Sequence, residues 1–196
     1  MAISLGLKQW LLPEASNEQL MGKYSETGEV KWLEQLVERC GDDLFHFITS
    51  QTDRDMAKDI CQLTWLKVID NRSIYSQSGS FKAWLFQISR YLLIDEMRRQ
   101  RRWHMEELNE HITEQQALLS VEINVNESKS IQAAFNKALE TLPFLQREAF
   151  ILQQEGFSLR DIAKITSAEM ETVKSRLRYA KGQLKKQLTS LDLKEL

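Results

Sequence analysis

Four arginines fall within five residues, at Arg98, Arg99, Arg101 and Arg102, and they close a stretch, Phe81 to Arg102 (FKAWLFQISRYLLIDEMRRQRR), that begins as an apolar helical face. Guanidinium groups do no acid–base or nucleophilic work near neutral pH; clustered, they bind phosphate through charge and paired N–H donors. A helix end complementing its own dipole needs fewer of them. A second stretch, Glu169 to Leu188 (EMETVKSRLRYAKGQLKKQL), repeats the arrangement: Val173, Leu177, Ala180, Leu184 and Leu188 form an apolar seam, and Lys174, Arg178, Lys181 and Lys185 line the face beside it. A helix that packs on its own domain while pressing against phosphates needs that adjacency. Counted by segment, residues 81–103 hold six Lys/Arg against two Asp/Glu, residues 141–188 nine against five, and residues 104–140 two against seven. The formal net charge of −2 therefore hides two basic blocks joined by an acidic connector, a layout that points to nucleic acid and two separate footprints.

Other chemistries find little support. His46, His104 and His111 have no partnering Cys or carboxylate at metal spacing, so no metal site and no cofactor is expected. No Ser/His/Asp arrangement, glycine-rich phosphate loop or paired carboxylate occurs in a catalytic context, so the chain is not read as an enzyme. Cys40 and Cys61 are too few for a disulfide framework and sit among apolar helical residues, as in a core kept reduced in the cytoplasm. No apolar run approaches the roughly 20 residues of a membrane span, and Leu5 to Leu12 lacks a basic flank, so neither insertion nor export is expected.

The elements that must carry these residues are helices. With seven glycines and two prolines among 196 residues, and long runs rich in Leu, Ala, Glu, Lys, Gln and Arg, turn chemistry for a sheet is scarce. The fold class expected is all-α, two small helical domains joined by a linker, the second containing a helix-turn-helix. Residues 1–29 read as a weakly ordered lead-in without a role, with a helix start at Ser16 where Gln19 completes a capping box. Residues 30–103 form the first domain. Its helices run from Val30 to Ser50 with a break near Gly41, from Thr52, capped by Asp55, to Ile69, and from Phe81 to Trp103, with a polar loop over Asp70–Ser80. Residues 104–130 are the acidic linker, with a helix begun at Thr113. Residues 131–190 form the second domain: a stripe from Ile131, a break at Thr141-Leu142-Pro143, a helix ending at Gly156, a short helix capped by Ser158 and Asp161, a tight turn, and the long basic helix.

Taken in order and with their spacing, these segments resemble the extracytoplasmic-function (ECF) group of bacterial RNA polymerase sigma factors. AKDICQLTWLKV is similar to the helix that binds the polymerase clamp, through Asp59, Gln62, Thr64 and Trp65. Leu63 stands where the family often has an acid. FKAWLFQISRYLLIDEMRRQRR is similar to the promoter-melting helix through Phe81, Ala83, Trp84, Leu85, Ile88, Arg90, Asp95, Arg98 and Arg99, with Tyr91 in place of a common asparagine. LPFLQREAFIL, EGFSLRDIA and TVKSRLRYAK are similar to the upstream-element domain. The largest departure is the turn, where the family's glycine-containing Leu-Gly-Ile-Pro is Thr166, Ser167, Ala168 and Glu169, so a serine must take a left-handed backbone at some cost or the turn must differ.

The resemblance implies a factor that binds core RNA polymerase and directs promoter-specific initiation. On it, Asp59, Gln62 and Leu63 are the polymerase contacts, and the first domain engages and opens the downstream promoter element through Tyr75, Arg90, Tyr91, Arg98, Arg99, Arg101 and Arg102. Strand opening needs such groups, because an unstacked base loses a few kcal/mol that an aromatic platform returns at roughly 1–3 kcal/mol per base; Phe86 and Trp103 are further aromatic candidates. In the second domain Glu171, Thr172, Ser175 and Arg176 lie at the N-terminal end of the last helix, where base edges are read, while Lys174, Arg178 and Lys181 position it on phosphates. The partners implied are core polymerase, promoter DNA as duplex and as melted single strand, and a cognate anti-sigma factor. Two other readings remain open from residues alone: a stand-alone helix-turn-helix regulator, and a scaffold that binds polymerase without reading DNA.

Overall fold

Ser16 opens the first helix in the way its spacing predicts. In the computed structural model, which describes residues 15–76, 79–110 and 127–192 and the side chains of 15–76, 79–102 and 133–189, Ser16 Oγ accepts the Gln19 backbone N–H at 3.3 Å and Gln19 Oε1 accepts that of Ser16 at 2.9 Å. The helix so begun, α1 (Asn17–Thr27), ends at Gly28, whose φ of 69° lets its N–H return to the Tyr24 carbonyl. Far from being a loose lead-in, α1 places Leu20, Met21 and Tyr24 in the core. Helix α2 (Val30–Thr49) runs unbroken through Gly41. A mid-helix glycine costs about 1 kcal/mol, whereas each large apolar side chain buried, here Leu36, Leu44, Phe47 and Ile48, returns about 1.5–3 kcal/mol. Helix α3 (Arg54–Asp70) starts later than Thr52, because Asp53 is the better cap: its Oδ1 accepts the N–H groups of both Asp55 and Met56 at 3.0 Å. A 3-10 turn, Arg72–Ile74, interrupts the polar loop before α4 (Phe81–Glu110), which continues past Trp103.

The helix that carries the Ile131 stripe, α5 (Glu127–Glu140), starts earlier than the stripe itself. Pro143 stands at the N-cap of α6 (Phe144–Gln154), where its missing N–H costs nothing. Ser158 and Asp161 form the expected capping box on α7 (Leu159–Thr166), and α8 (Met170–Asp192) follows. Between them Ser167 sits at φ 51°, ψ 45°, so the serine takes the left-handed conformation that a glycine would adopt more cheaply. Helices α6, α7 and α8 pack around Ala149, Leu152, Ile162, Val173 and Leu177. Among the described residues the fold is all-α, with no strand; the helix expected from Thr113 lies outside them.

Candidate polymerase and nucleic-acid interfaces

Helix α4 divides cleanly by exposure. Phe81, Leu85, Phe86 and Leu93 are fully buried, with Trp84 and Ile88 packed beside them, while Arg98, Arg99, Arg101 and Arg102 are exposed farther along the helix. Of the aromatics expected to meet unpaired bases, Tyr91 is 73% exposed and stands clear of the core. Phe86 does not serve: its ring lies 5.2 Å from Phe47 and 4.8 Å from Phe157, in the middle of the packing. Tyr75 is half-buried, its ring 5.1 Å from Trp84 and 6.1 Å from Phe81, and its hydroxyl is buried without a hydrogen-bond partner. Burial, and then the charge of Glu18, push that phenol above its ordinary pKa. It borders a cavity of about 200 Å³ whose walls include Ser80, Ala83, Trp84 and Gln87. The Trp103 side chain lies outside the described residues.

What holds the beginning of α4 and the turn before it is α1, a role the local sequence does not announce. Glu18 Oε1 accepts the Phe81 backbone N–H at 2.9 Å, capping the helix from 63 residues away. Ser25 Oγ donates to the Arg72 carbonyl at 2.6 Å, and the Arg72 guanidinium lies over the Tyr24 ring and against Gly28, where a Cβ would stand 2.8 Å from Nη1. The Glu18 carboxyl is pushed up by burial, but the hydrogen bonds it accepts from Phe81, from its own N–H and from Ser16 outweigh that and hold it below the usual range.

On α3, Asp59, Gln62 and Leu63 come together on one exposed face. They border a groove of about 430 Å³ that continues to Glu96, Arg99 and Gln100 on α4. Leu63 and Leu66 are 45% and 54% exposed there, an apolar pair ringed by carboxylates and so suited to a protein surface that is itself apolar and basic.

Helix α8 buries Val173, Leu177, Ala180 and Leu184, as the stripe requires, and Leu188 only in part. Glu171, Thr172, Lys174, Arg178 and Lys181 are exposed, whereas Ser175 and Arg176 are half-buried. Lys174 Nζ pairs with Glu171 at 2.6 Å on the open surface, a contact worth little and easily exchanged for a phosphate.

The two domains also touch, which sequence spacing does not indicate. Arg90 donates from Nε to Glu148 Oε1 at 2.6 Å and from Nη2 to Oε2 at 3.3 Å, a fork in which the carboxylate side chain is 0% and the arginine 13% exposed. Arg90 is thus committed to the second domain and does not face open solvent with the other arginines. Lys82 Nζ reaches Asp43 at 2.6 Å and the Glu155 carbonyl at 3.1 Å, and His46 Nδ1 lies 2.7 Å from Glu155 Oε1.

Two exposed basic helices on separate small domains, one preceded by an aromatic cavity and the other forming a helix-turn-helix, define a class: helical factors that dock on a partner and bind DNA. The comparisons agree. Residues 36–103 match the family Sigma-70 region 2, and residues 132–184 match Sigma-70, region 4. The chain belongs to the ECF group of RNA polymerase sigma factors. It is 30% identical over 139 residues to the ECF RNA polymerase sigma factor EcfG of Rhodopseudomonas palustris, covering 70% of this chain and 74% of that protein. With the ECF sigma factor SigE of Mycolicibacterium smegmatis it shares 31% identity over 130 residues, 66% of this chain but 50% of SigE. Among solved structures, the sigma factor RpoE of Bartonella quintana, in complex with the anti-sigma factor NepR, superposes with a TM-score of 0.66 at 30% identity, covering 82% of this chain and 98% of that one. A sigma factor binds core polymerase and directs promoter-specific transcription initiation; the stand-alone regulator is not favoured. Among the described residues no helix is long and apolar enough to cross a membrane.

Proposed function

We propose that this sigma factor divides its work among three surfaces. The α3 face around Asp59, Gln62 and Leu63 docks on core polymerase; α8 reads the upstream promoter element with Glu171, Thr172, Ser175 and Arg176 and rests on phosphates through Lys174, Arg178 and Lys181; and α4 captures the opened downstream strand through Arg98, Arg99, Arg101 and Arg102, with Tyr91 and Tyr75 as stacking groups. The observation that carries the reading is the exposure pattern. Apolar positions of α4 and α8 are spent on the core while Arg98, Arg99, Arg101 and Arg102 on the one and Lys174, Arg178 and Lys181 on the other stay in solvent, an arrangement favoured when phosphates are the partner. Having no catalytic role, the chain works in the cytoplasm alongside the polymerase, and its likeness to an anti-sigma-bound relative supports a cognate anti-sigma factor as a further partner. The test is run-off transcription with core polymerase on a promoter of its regulon. Leu63→Arg is expected to abolish polymerase binding, whereas alanine at Glu171 and Thr172 is expected to leave polymerase binding intact and remove upstream-element selectivity. Loss of polymerase binding in the second variant would overturn the division.

A further inference from the structure

Tyr179 stands in the middle of the face by which α8 is proposed to read base edges, and the core makes no use of it. It follows Thr172 by seven residues and Ser175 by four, so these three share one side of the helix, away from the buried seam of Val173, Leu177, Ala180 and Leu184, with Arg176 at the border. The tyrosine is 57% exposed. A helical side chain leans back over the turn that precedes it, which directs this ring toward Ser175 and Arg176. The Arg178 guanidinium lies 5.7 Å from the ring centroid. A single exposed aromatic is ordinary on a protein surface. Gly182, three residues on and inside the same helix, sets this one apart. Its φ is not positive, and a Cβ built on it would meet nothing within 4 Å. Glycine inside a helix is less favourable than alanine, and here neither backbone conformation nor packing asks for it. What the missing side chain leaves is bare backbone beside an exposed ring, the property needed where another chain must come close.

We infer that Tyr179 and Gly182 form an apolar reading subsite for the C5-methyl group of a thymine in the major groove of the upstream element: the ring packs on the methyl group, and the bare backbone at Gly182 lets the adjoining DNA strand approach. The inference deepens the proposed role of α8 and rests on it. Polar side chains in the first turns of a recognition helix distinguish hydrogen-bond donors from acceptors. Thymine also presents a methyl group in the major groove, and apolar contact is what recognises it. On this side of α8 the Tyr179 ring supplies the broad apolar surface. Arg178, drawn to the ring by cation–π attraction, ties it to the edge of the helix proposed to rest on phosphates.

The test uses the full chain assembled with core polymerase on a promoter duplex that it transcribes, with each thymine of the upstream element replaced in turn by deoxyuridine, which lacks only the methyl group. In the wild type, one replacement is expected to weaken closed-complex binding about fourfold, the loss of one buried methyl contact, and the others to change it little. Tyr179→Ala is expected to bind the thymine and uracil duplexes alike, and Tyr179→Phe to keep the preference. Gly182→Ala is expected to raise the thermal midpoint of the free chain and yet to weaken promoter binding about fivefold or more, opposite signs that a merely structural glycine would not give. A wild type indifferent to every uracil, or a preference retained in Tyr179→Ala, would overturn the subsite. Loss of the preference in Tyr179→Phe would assign the contact to the hydroxyl and overturn the methyl reading. Unchanged promoter binding in Gly182→Ala would overturn the close approach. Upstream selectivity lost on alanine at Glu171 and Thr172, with the thymine preference intact in Tyr179→Ala, would sink this inference alone; selectivity unchanged in all of these variants would sink the role of α8 as well.

Discussion

Replacing Glu18 with alanine removes a helix cap supplied from across the fold. The carboxylate accepts the Phe81 N–H at 2.9 Å in a partly buried setting, so the variant leaves the first turn of α4 with an unmade donor. Loss of an N-cap costs about 0.5–2 kcal/mol, and the charge-assisted nature of this bond places the expectation in the upper half, about 1–2 kcal/mol. For a chain of this size that is a fall of roughly 2–8 °C in the thermal midpoint. Glu18→Gln keeps the acceptor oxygen without the charge and is expected to recover about half. The pH dependence has a defined sign. Because the folded-state pKa is held below the ordinary 4.5, the carboxylate's contribution is present above that value and is lost as the pH falls through the lowered one. The gap between wild type and Glu18→Gln, followed by circular dichroism, is therefore expected to be constant from neutrality to about pH 5 and to close below pH 4.5. A midpoint for Glu18→Ala within 1 °C of wild type, or a gap that widens in acid, would refute the assignment of Glu18 as the cap.

The same structural reasoning gives three further expectations. Ser167→Gly relieves a left-handed serine at φ 51° and is expected to stabilise the second domain by roughly 1 kcal/mol in denaturant titrations, offset in part by the glycine's unfolded-state entropy. Gly28→Ala forces a side chain onto a φ of 69° and displaces Arg72 from Tyr24, so a loss of about 1–2 kcal/mol is expected, with a change in tyrosine fluorescence reporting the moved guanidinium. Burial pushes the Cys40 and Cys61 thiols up to about 11, so alkylation of the native chain at neutral pH is expected to run about a hundredfold slower than for an ordinary thiol and to recover on unfolding.

Local chemistry was legible in the residues. The capping boxes at Ser16–Gln19 and Ser158–Asp161 are short-range patterns, and both are made. The buried stripe of α8 follows from its period, and the three exposed residues on α3 follow from resemblance. Thr52 misleads because Asp53, one position on, brings a charged oxygen that accepts the N–H groups of both Asp55 and Met56. Gly41 misleads because local propensity is outweighed by burial on the other face of α2. The role of α1 and the seam between the domains were not legible for one shared reason. Glu18 meets Phe81 across 63 residues, and Arg90 meets Glu148 across 58, so each pairing depends on how whole helices pack and leaves no periodic trace in either segment. A glutamate at the head of an apolar run, Glu148 before Ala149-Phe150-Ile151-Leu152, is a sequence signal that could have pointed toward a pairing.

The central claim, that the arginine cluster of α4 holds the opened strand, is tested most directly by permanganate footprinting of unpaired thymines in polymerase complexes carrying wild type or Arg98→Ala with Arg99→Ala, compared at equal promoter occupancy. Open and closed complexes exchange, and every 1.4 kcal/mol of lost strand contact shifts that balance about tenfold toward the duplex. The account predicts intact occupancy with thymine reactivity reduced about tenfold or more. Equal reactivity in the two complexes would contradict it and return the four arginines to the solvated surface.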